Sequence, residues 1–217
     1  MSEYLTNLKA FKDLIESYTI ADLKSMIYDI EVKPSGSCCY PAVQTLFSLM
    51  ELIGKLITPD ATDEKAFVAT FIRLGVSYND KTMATKLYEY FRHGIVHNAL
   101  AKGGVQVKKS NDRAFHLSNN GNNIDIRILL EDFIPLFRDI FDSQLQQKGY
   151  ITEYEKRLKD VFRELKIEWI TNSQQWGGLE ISADYTRTDV TTPSGTRLPT
   201  SQKSGPSVTR LDTDKNK

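Results

Sequence analysis

The sequence predicts an all-α domain, a helical bundle with a small β-insert, followed by a polar tail. Three observations predict it. Apolar residues recur every three or four positions along most of the chain up to Trp169. Between Val105 and Ile126 that period gives way to short apolar–polar alternation. Beyond Thr171 it dissolves into Thr, Ser, Pro, Gly and scattered charge. The expected organisation is a helical domain over residues 1–171 and a disordered tail over 172–217, because the tail's side chains bury too little to offset its chain entropy. Trp176 and Leu179 are the two tail residues expected to dock on the domain.

Leu5, Leu8, Phe11, Ile15 and Tyr18 predict a first amphipathic helix. Thr19 with Asp22 predicts a capped restart, after which Leu23, Met26, Ile27 and Ile30 continue the stripe. Pro34–Ser37 reads as a loop. Pro41 suits the first turn of the next helix, which carries Val43, Leu46, Phe47, Met50, Ile53, Leu56 and Ile57 and stops at Thr58–Pro59. Being apolar on most sides, it is the expected central helix. Thr62 can cap a helix holding Phe67, Val68, Phe71 and Ile72 that ends at Gly75, and Asn79–Asp80 caps the next.

Val105–Val107, Ala114–Leu117 and Ile124–Ile126 alternate as short strands do, with Asn and Gly between them, and predict a hairpin-like insert. It is a substrate-facing flap or a long connector. His116 lies within it, where a lone strand histidine is more often structural than catalytic. Leu129, Leu130, Phe133, Leu136, Phe137, Ile140 and Phe141 form the next stripe, and Pro135 inside it predicts a kink or restart. Thr152 with Glu155 has the form of a capping box for a last helix with Leu158, Val161, Phe162, Leu165 and Trp169 on one face.

Charge and cysteine content narrow the function classes. The 217 residues carry 28 Lys and Arg against 28 Asp and Glu, so no bulk basic field announces nucleic acid, and any RNA contact must come from a local patch. Cys38 and Cys39 are adjacent and are the chain's only cysteines, which disfavours a disulfide and a zinc site; no metal or cofactor is expected. They read as small apolar residues entering a helix. The apolar stretch Val43–Ile57 is too short to span a bilayer and contains Glu51 and Lys55, so no membrane association is expected. The N-terminus lacks a basic segment followed by an apolar run, and the expected location is cytoplasmic.

The stretch from Lys86 to Gly104 concentrates the chemistry. Met83, Leu87, Phe91 and Ile95 make one apolar face, and Arg92, His93 and His97 follow in quick succession. Two of the chain's three histidines sit here. Arg and His near a helix C-terminus each favour the macrodipole by about 0.3–1 kcal/mol. That does not account for Gly94, which costs about 1 kcal/mol relative to Ala inside a helix. On a straight helix Arg92 and His97 lie about 140° apart, so both cannot face one phosphate. Either the helix loosens after Gly94 or a second copy supplies the missing group.

Arg92, four intervening residues and His97 resemble the R-x4–6-H signature of HEPN domains, a superfamily of small all-α proteins. The run from Tyr88 to His97, Tyr-x-x-Phe-Arg-His-Gly-x-x-His, resembles members from prokaryotic defence and toxin loci. The resemblance implies a metal-independent endoribonuclease acting on RNA as a homodimer, with motifs facing across a two-fold axis, as a toxin or antiviral defence effector. It also implies a possible cognate antitoxin or defence partner. Gly94 suits such an axis, since a residue without a side chain lets another backbone approach. HEPN toxins regulated by a nucleotidyltransferase carry a modifiable tyrosine two places after the histidine; here that place is Ala99.

The residue chemistry agrees with the implied roles. Metal-free RNA cleavage needs a deprotonated 2′-OH, a stabilised phosphorane and a protonated leaving oxygen. An imidazole suits the proton transfers, which points to His97. A guanidinium that grips two phosphate oxygens suits the charged transition state, which points to Arg92. His93 stands where the family often has a residue orienting the arginine, with direct proton transfer as the alternative. Asn98 holds the phosphate or satisfies a helix end. Lys102, Lys108 and Lys109 form a local basic rim or are solvated loop lysines. Tyr88 and Tyr90 stack bases or, at helical spacing, belong to the core. The rival functions are a non-catalytic HEPN-like module that binds RNA or a nucleotide, and a helical protein-interaction domain.

Overall fold

The computed structural model describes residues 2–31, 37–93, 105–171, 185–191 and 197–203. The chain divides into two units, Met1–Gln174 and Gln175–Lys217. The first is all-α, with one two-stranded sheet among its described residues.

Helix α1 (Glu3–Leu14) starts where the Ser2 hydroxyl accepts the Leu5 N–H at 3.3 Å. It runs on through a π-wound segment, Ile15–Ile20, into α2 (Ala21–Lys24) and a second π-wound segment, Ser25–Asp29. The expected capped restart at Thr19 does not occur. Ile15 and Ile20 are five apart, and a turn closed by i→i+5 bonds brings both onto the buried side, with Leu23 and Ile27 following.

Helix α3 (Cys39–Ile57) is the central helix, with Val43, Leu46, Phe47, Met50 and Ile53 fully buried. Cys38 and Cys39 are free thiols at its start. Helix α4 (Asp63–Phe71), capped by Thr62, packs so closely on α3 that a Cβ on Gly54 would lie 2.0 Å from the Ala66 carbonyl oxygen. Helix α5 (Lys81–Leu87) is capped by Asp80, whose carboxylate accepts the Thr82 and Met83 N–H groups at 2.8 and 3.0 Å. It continues as a π-wound segment, Tyr88–His93.

The insert differs from a hairpin. Strands β1 (Gln106–Lys108) and β2 (Asn123–Asp125) pair in parallel, Val107 opposite Ile124. The expected middle strand, Ala114–Leu117, is a run of turns instead. Asn111, Leu117, Asn119 and Asn120 all adopt positive φ, which curls the chain back so that β2 enters in the direction of β1. Gly121 turns tightly with φ 83° and lies against Met83 of α5, where a Cβ would come within 2.5 Å of that side chain.

Helix α6 (Ile126–Asp142) is capped by Asp125 and passes through Pro135 as one element, so of the two expected alternatives, a kink or a restart, the restart does not occur. Helix α7 (Ile151–Leu165) begins before the expected capping box. A single turn, Lys148–Tyr150, leads into it, Thr152 lies inside it, and Glu155 pairs with Lys159 at 2.6 Å. It also ends earlier than the apolar stripe suggested. Lys166 takes the left-handed conformation, and the Ile167 N–H reaches back to the Phe162 carbonyl at 2.8 Å. Leu165 is therefore exposed, while Trp169 folds back edge-on to Phe162, centroids 5.5 Å apart. Asn7 of α1 holds this returning segment, donating to the Ile170 carbonyl at 2.9 Å and accepting its N–H at 2.8 Å.

In the second unit the described residues form an antiparallel pair. Strand β3 (Tyr185–Thr191) lies against β4 (Arg197–Lys203), with Thr188 opposite Thr200. Thr186, Thr188, Val190 and Thr191 supply the β-branched content that suits such a ladder. Trp176 and Leu179 lie outside the described residues.

Candidate functional site

The helix bearing the Arg92 motif is fixed by its aromatic residues. Phe91 is 1% exposed, and its ring meets Phe47 of α3 edge-on at 5.5 Å. Tyr88, one turn earlier, packs on Phe67 of α4 at 5.4 Å. Ala84 and Leu87 complete the buried face. Core rings therefore set the position of the backbone up to His93.

The winding widens at Tyr88. The two alternatives read from the sequence, a helix that loosens after Gly94 or a second copy that supplies the missing group, fall outside the described residues. Turns wider than 3.6 residues bring positions five apart toward one face, and π turns often occur at functional sites. Arg92 and His93 belong to this segment by their backbone. His97, Asn98 and Lys102 lie outside the described residues.

Two supporting assignments change. Tyr88 is 6% exposed within the aromatic core, so its ring is not free to stack on bases. Tyr90 also packs against the core. Lys109 is equally buried, and its ammonium donates to the Met26 carbonyl at 3.0 Å and to that of Ile30. It closes the C-terminal end of the first long helix, where helix carbonyls lack intrahelical donors, and does not belong to a basic rim. Lys108 does face solvent, its ammonium 4.1 Å from the centre of the Phe115 ring.

A polar cluster joins the insert to α6 and to the turn before α5. Tyr78 donates its hydroxyl proton to Asp132 at 2.6 Å, and His116 Nε2 lies 2.8 Å from the same hydroxyl oxygen. His116 Nδ1 accepts the Asp125 N–H at 3.1 Å. Arg113 grips both oxygens of Asp132 at 3.0 and 3.1 Å. Burial, helped by the nearby Arg113 charge, pulls the His116 imidazole down to about 4, against the opposing pull of Asp132 and Asp125. Burial and the bond to Asp132 push the Tyr78 hydroxyl well above its ordinary range. Neither group is poised for proton transfer near neutral pH, so the cluster reads as a structural joint, as expected for His116.

The sequence reading missed Tyr78, Asp132 and Arg113 because the cluster assembles across three elements. Only Asp125, an Asp directly before an apolar stripe, carried a local signal. Among the described residues no three His, Cys, Asp or Glu side chains converge as metal ligands, and no helix is long and apolar enough to cross a membrane. No family model, curated protein or solved structure matches the chain.

Proposed function

We propose that the protein is a metal-independent endoribonuclease of the HEPN type, acting as a homodimer on single-stranded RNA. Arg92 stabilises the charged phosphorane, and His97 transfers the proton. The observation that carries this reading is the Arg92–His97 spacing in the sequence, with Arg92 on a helical segment held in an all-α body by Phe91 and Tyr88. Such anchoring suits a catalytic guanidinium, because a charged side chain is effective only where its backbone is held in place. His93 orients the arginine and Asn98 holds the phosphate. Because the net charge is zero, the RNA contacts come from a local patch that includes Lys102 and Lys108. A toxin or defence effector with a cognate antitoxin or defence partner is the cellular role that fits this chemistry, and the cytoplasm is where its RNA would be met.

Single strands are the substrate class because unstacked bases splay and let the backbone bend in line. The products are a 2′,3′-cyclic phosphate and a 5′-hydroxyl, formed in the presence of EDTA. The decisive experiment uses an RNA with one 2′-deoxyribose at the mapped cut site. Loss of cleavage at that site alone supports the reading. Cleavage there, or a requirement for magnesium, overturns it. Stoichiometric RNA binding without turnover would move the protein to the binding-module class.

A further inference from the structure

We propose that the chain of hydrogen bonds through Asp125, His116, Tyr78 and Asp132 is an acid-labile latch that opens residues 110–120 while the helical body stays folded. Donor directions carry the argument. His116 Nδ1 accepts the Asp125 N–H, so that nitrogen holds no proton and the neutral ring carries its proton on Nε2. Nε2–H then donates to the Tyr78 oxygen, and the Tyr78 proton goes to Asp132. Each proton has one place.

A second proton on His116 has only Nδ1 to go to, and there it meets the Asp125 N–H donor to donor. Imidazolium is thus incompatible with the closed arrangement. The facing groups come from every element around the ring. Asp132 of α6 and Asp125 at the end of β2 favour the cation, Arg113 of the insert disfavours it, and Tyr78 before α5 keeps its oxygen toward Nε2.

Packing confines the opening to this segment. From Arg113 to Asn120 no side chain is fully enclosed: Phe115, His116, Leu117 and Ser118 are half-buried and the rest exposed, whereas Val105 at one flank is 6% exposed and Ile124 at the other is fully buried. The turns are held mainly by polar contacts, Ser110 and Asp112 to Asp125 and Ser118 to Phe115. A segment with few buried apolar contacts opens below the global unfolding free energy.

The sign follows from linkage. Once released, His116 titrates near its ordinary value of about 6.5, whereas in place it is held at about 4. The closed form is therefore fully favoured above the released value and loses ground as pH falls from there toward the closed value. The opening constant rises by up to about tenfold per pH unit across that window.

Amide exchange followed by NMR tests this, with rates corrected for the intrinsic pH dependence of exchange. Between pH 6.5 and 4.5 the opening constant of the Phe115, His116 and Leu117 amides rises several tens of fold, while amides of α3 keep theirs. His116→Gln, which has no proton to gain, removes that slope and separates it from titration of Asp125 or Asp132. Nitrogen-15 shifts of the wild-type ring provide a second measurement that needs no variant: Nδ1 unprotonated at neutral pH. A protonated Nδ1, a ring that titrates near 6.5 in the folded protein, or insert amides that track those of α3 would overturn the latch.

Discussion

Asp125 accepts both the amide and the hydroxyl of Ser110, each at 3.1 Å, across 15 positions of sequence. The same oxygen takes the Asp112 N–H at 2.9 Å, and the other oxygen accepts the Arg127 and Ile128 N–H groups at the start of α6. One fully buried carboxylate thus caps a helix and gathers the insert that precedes it.

Asp125→Ala therefore removes a cap, worth about 0.5–2 kcal/mol, and leaves several buried donors without an acceptor, at about 1–3 kcal/mol for a buried group. Urea unfolding should show a total loss of about 2–4 kcal/mol on these magnitudes. Asp125→Asn, which keeps one acceptor oxygen, should recover part of it. An Ala variant within 0.5 kcal/mol of wild type would mean that water replaces the carboxylate, contrary to its burial.

Gly54→Ala tests the contact between α3 and α4. The added methyl would meet the backbone of Ala66, with the nearest atom at 2.0 Å, and backbone cannot move aside as a flexible side chain can. Overpacking of this kind typically costs about 1–3 kcal/mol, and more where backbone is struck. The melting temperature should fall by several degrees, whereas Gly149→Ala, with nothing within 4 Å, serves as the neutral comparison.

The legible part of this fold is the part carried by periodicity. The stripe from Val43 to Ile57 and that from Leu129 to Phe141 each become one helix, because the residues that make the pattern are those that fill the core. Ends were harder to read. Lys166 takes the left-handed turn that a glycine would have advertised, so the stripe ran on past the true end of α7 to Trp169. Thr19 with Asp22 looked like a capped restart, yet the helix runs through this stretch by widening over Ile15–Ile20. Polar convergence was not legible at all: Tyr78, His116 and Asp132 are 38 and 54 positions apart along the chain in their two contacts. The Arg92 motif was visible as spacing, and Phe91 beside it as a core residue. Lys109 was misread because a buried lysine and a rim lysine look alike in sequence.

Lys109 provides a discriminating pair with Lys108. Lys109→Met keeps the bulk of the side chain but leaves the Met26 and Ile30 carbonyls without their ammonium, and should cost about 1–2 kcal/mol of stability. RNA affinity measured against salt concentration should keep its slope. Lys108→Ala should leave stability within about 0.5 kcal/mol, since its contact with Phe115 is exposed. If Lys108 neutralises a phosphate, the salt slope falls by nearly one. The opposite assignment of effects would return Lys109 to the rim.

Arg92 and His97 carry the functional reading, and their variants should separate chemistry from folding. Phe91 and Tyr88 hold this part of the helix through its buried face, and substitution at Arg92 leaves both of those rings in place. Arg92→Ala should therefore leave the melting temperature within a degree or two, while cleavage falls by about 10²–10³-fold from lost charge stabilisation. His97→Ala should fall by about 10²–10⁴-fold if the imidazole moves the proton. Mixing the two inactive variants adds a test of the dimer. Where each site draws Arg92 from one subunit and His97 from the other, half of the sites in a heterodimer are intact, and mixing restores part of the activity. Where both residues of a site come from one chain, the mixture stays inactive. Arg92→Lys completes the set: it keeps the charge but loses the two-pronged grip on phosphate oxygens, so its activity should lie nearer to Ala than to wild type. Equal activity of Arg92→Ala and wild type, with both folded, would assign the motif to helix capping.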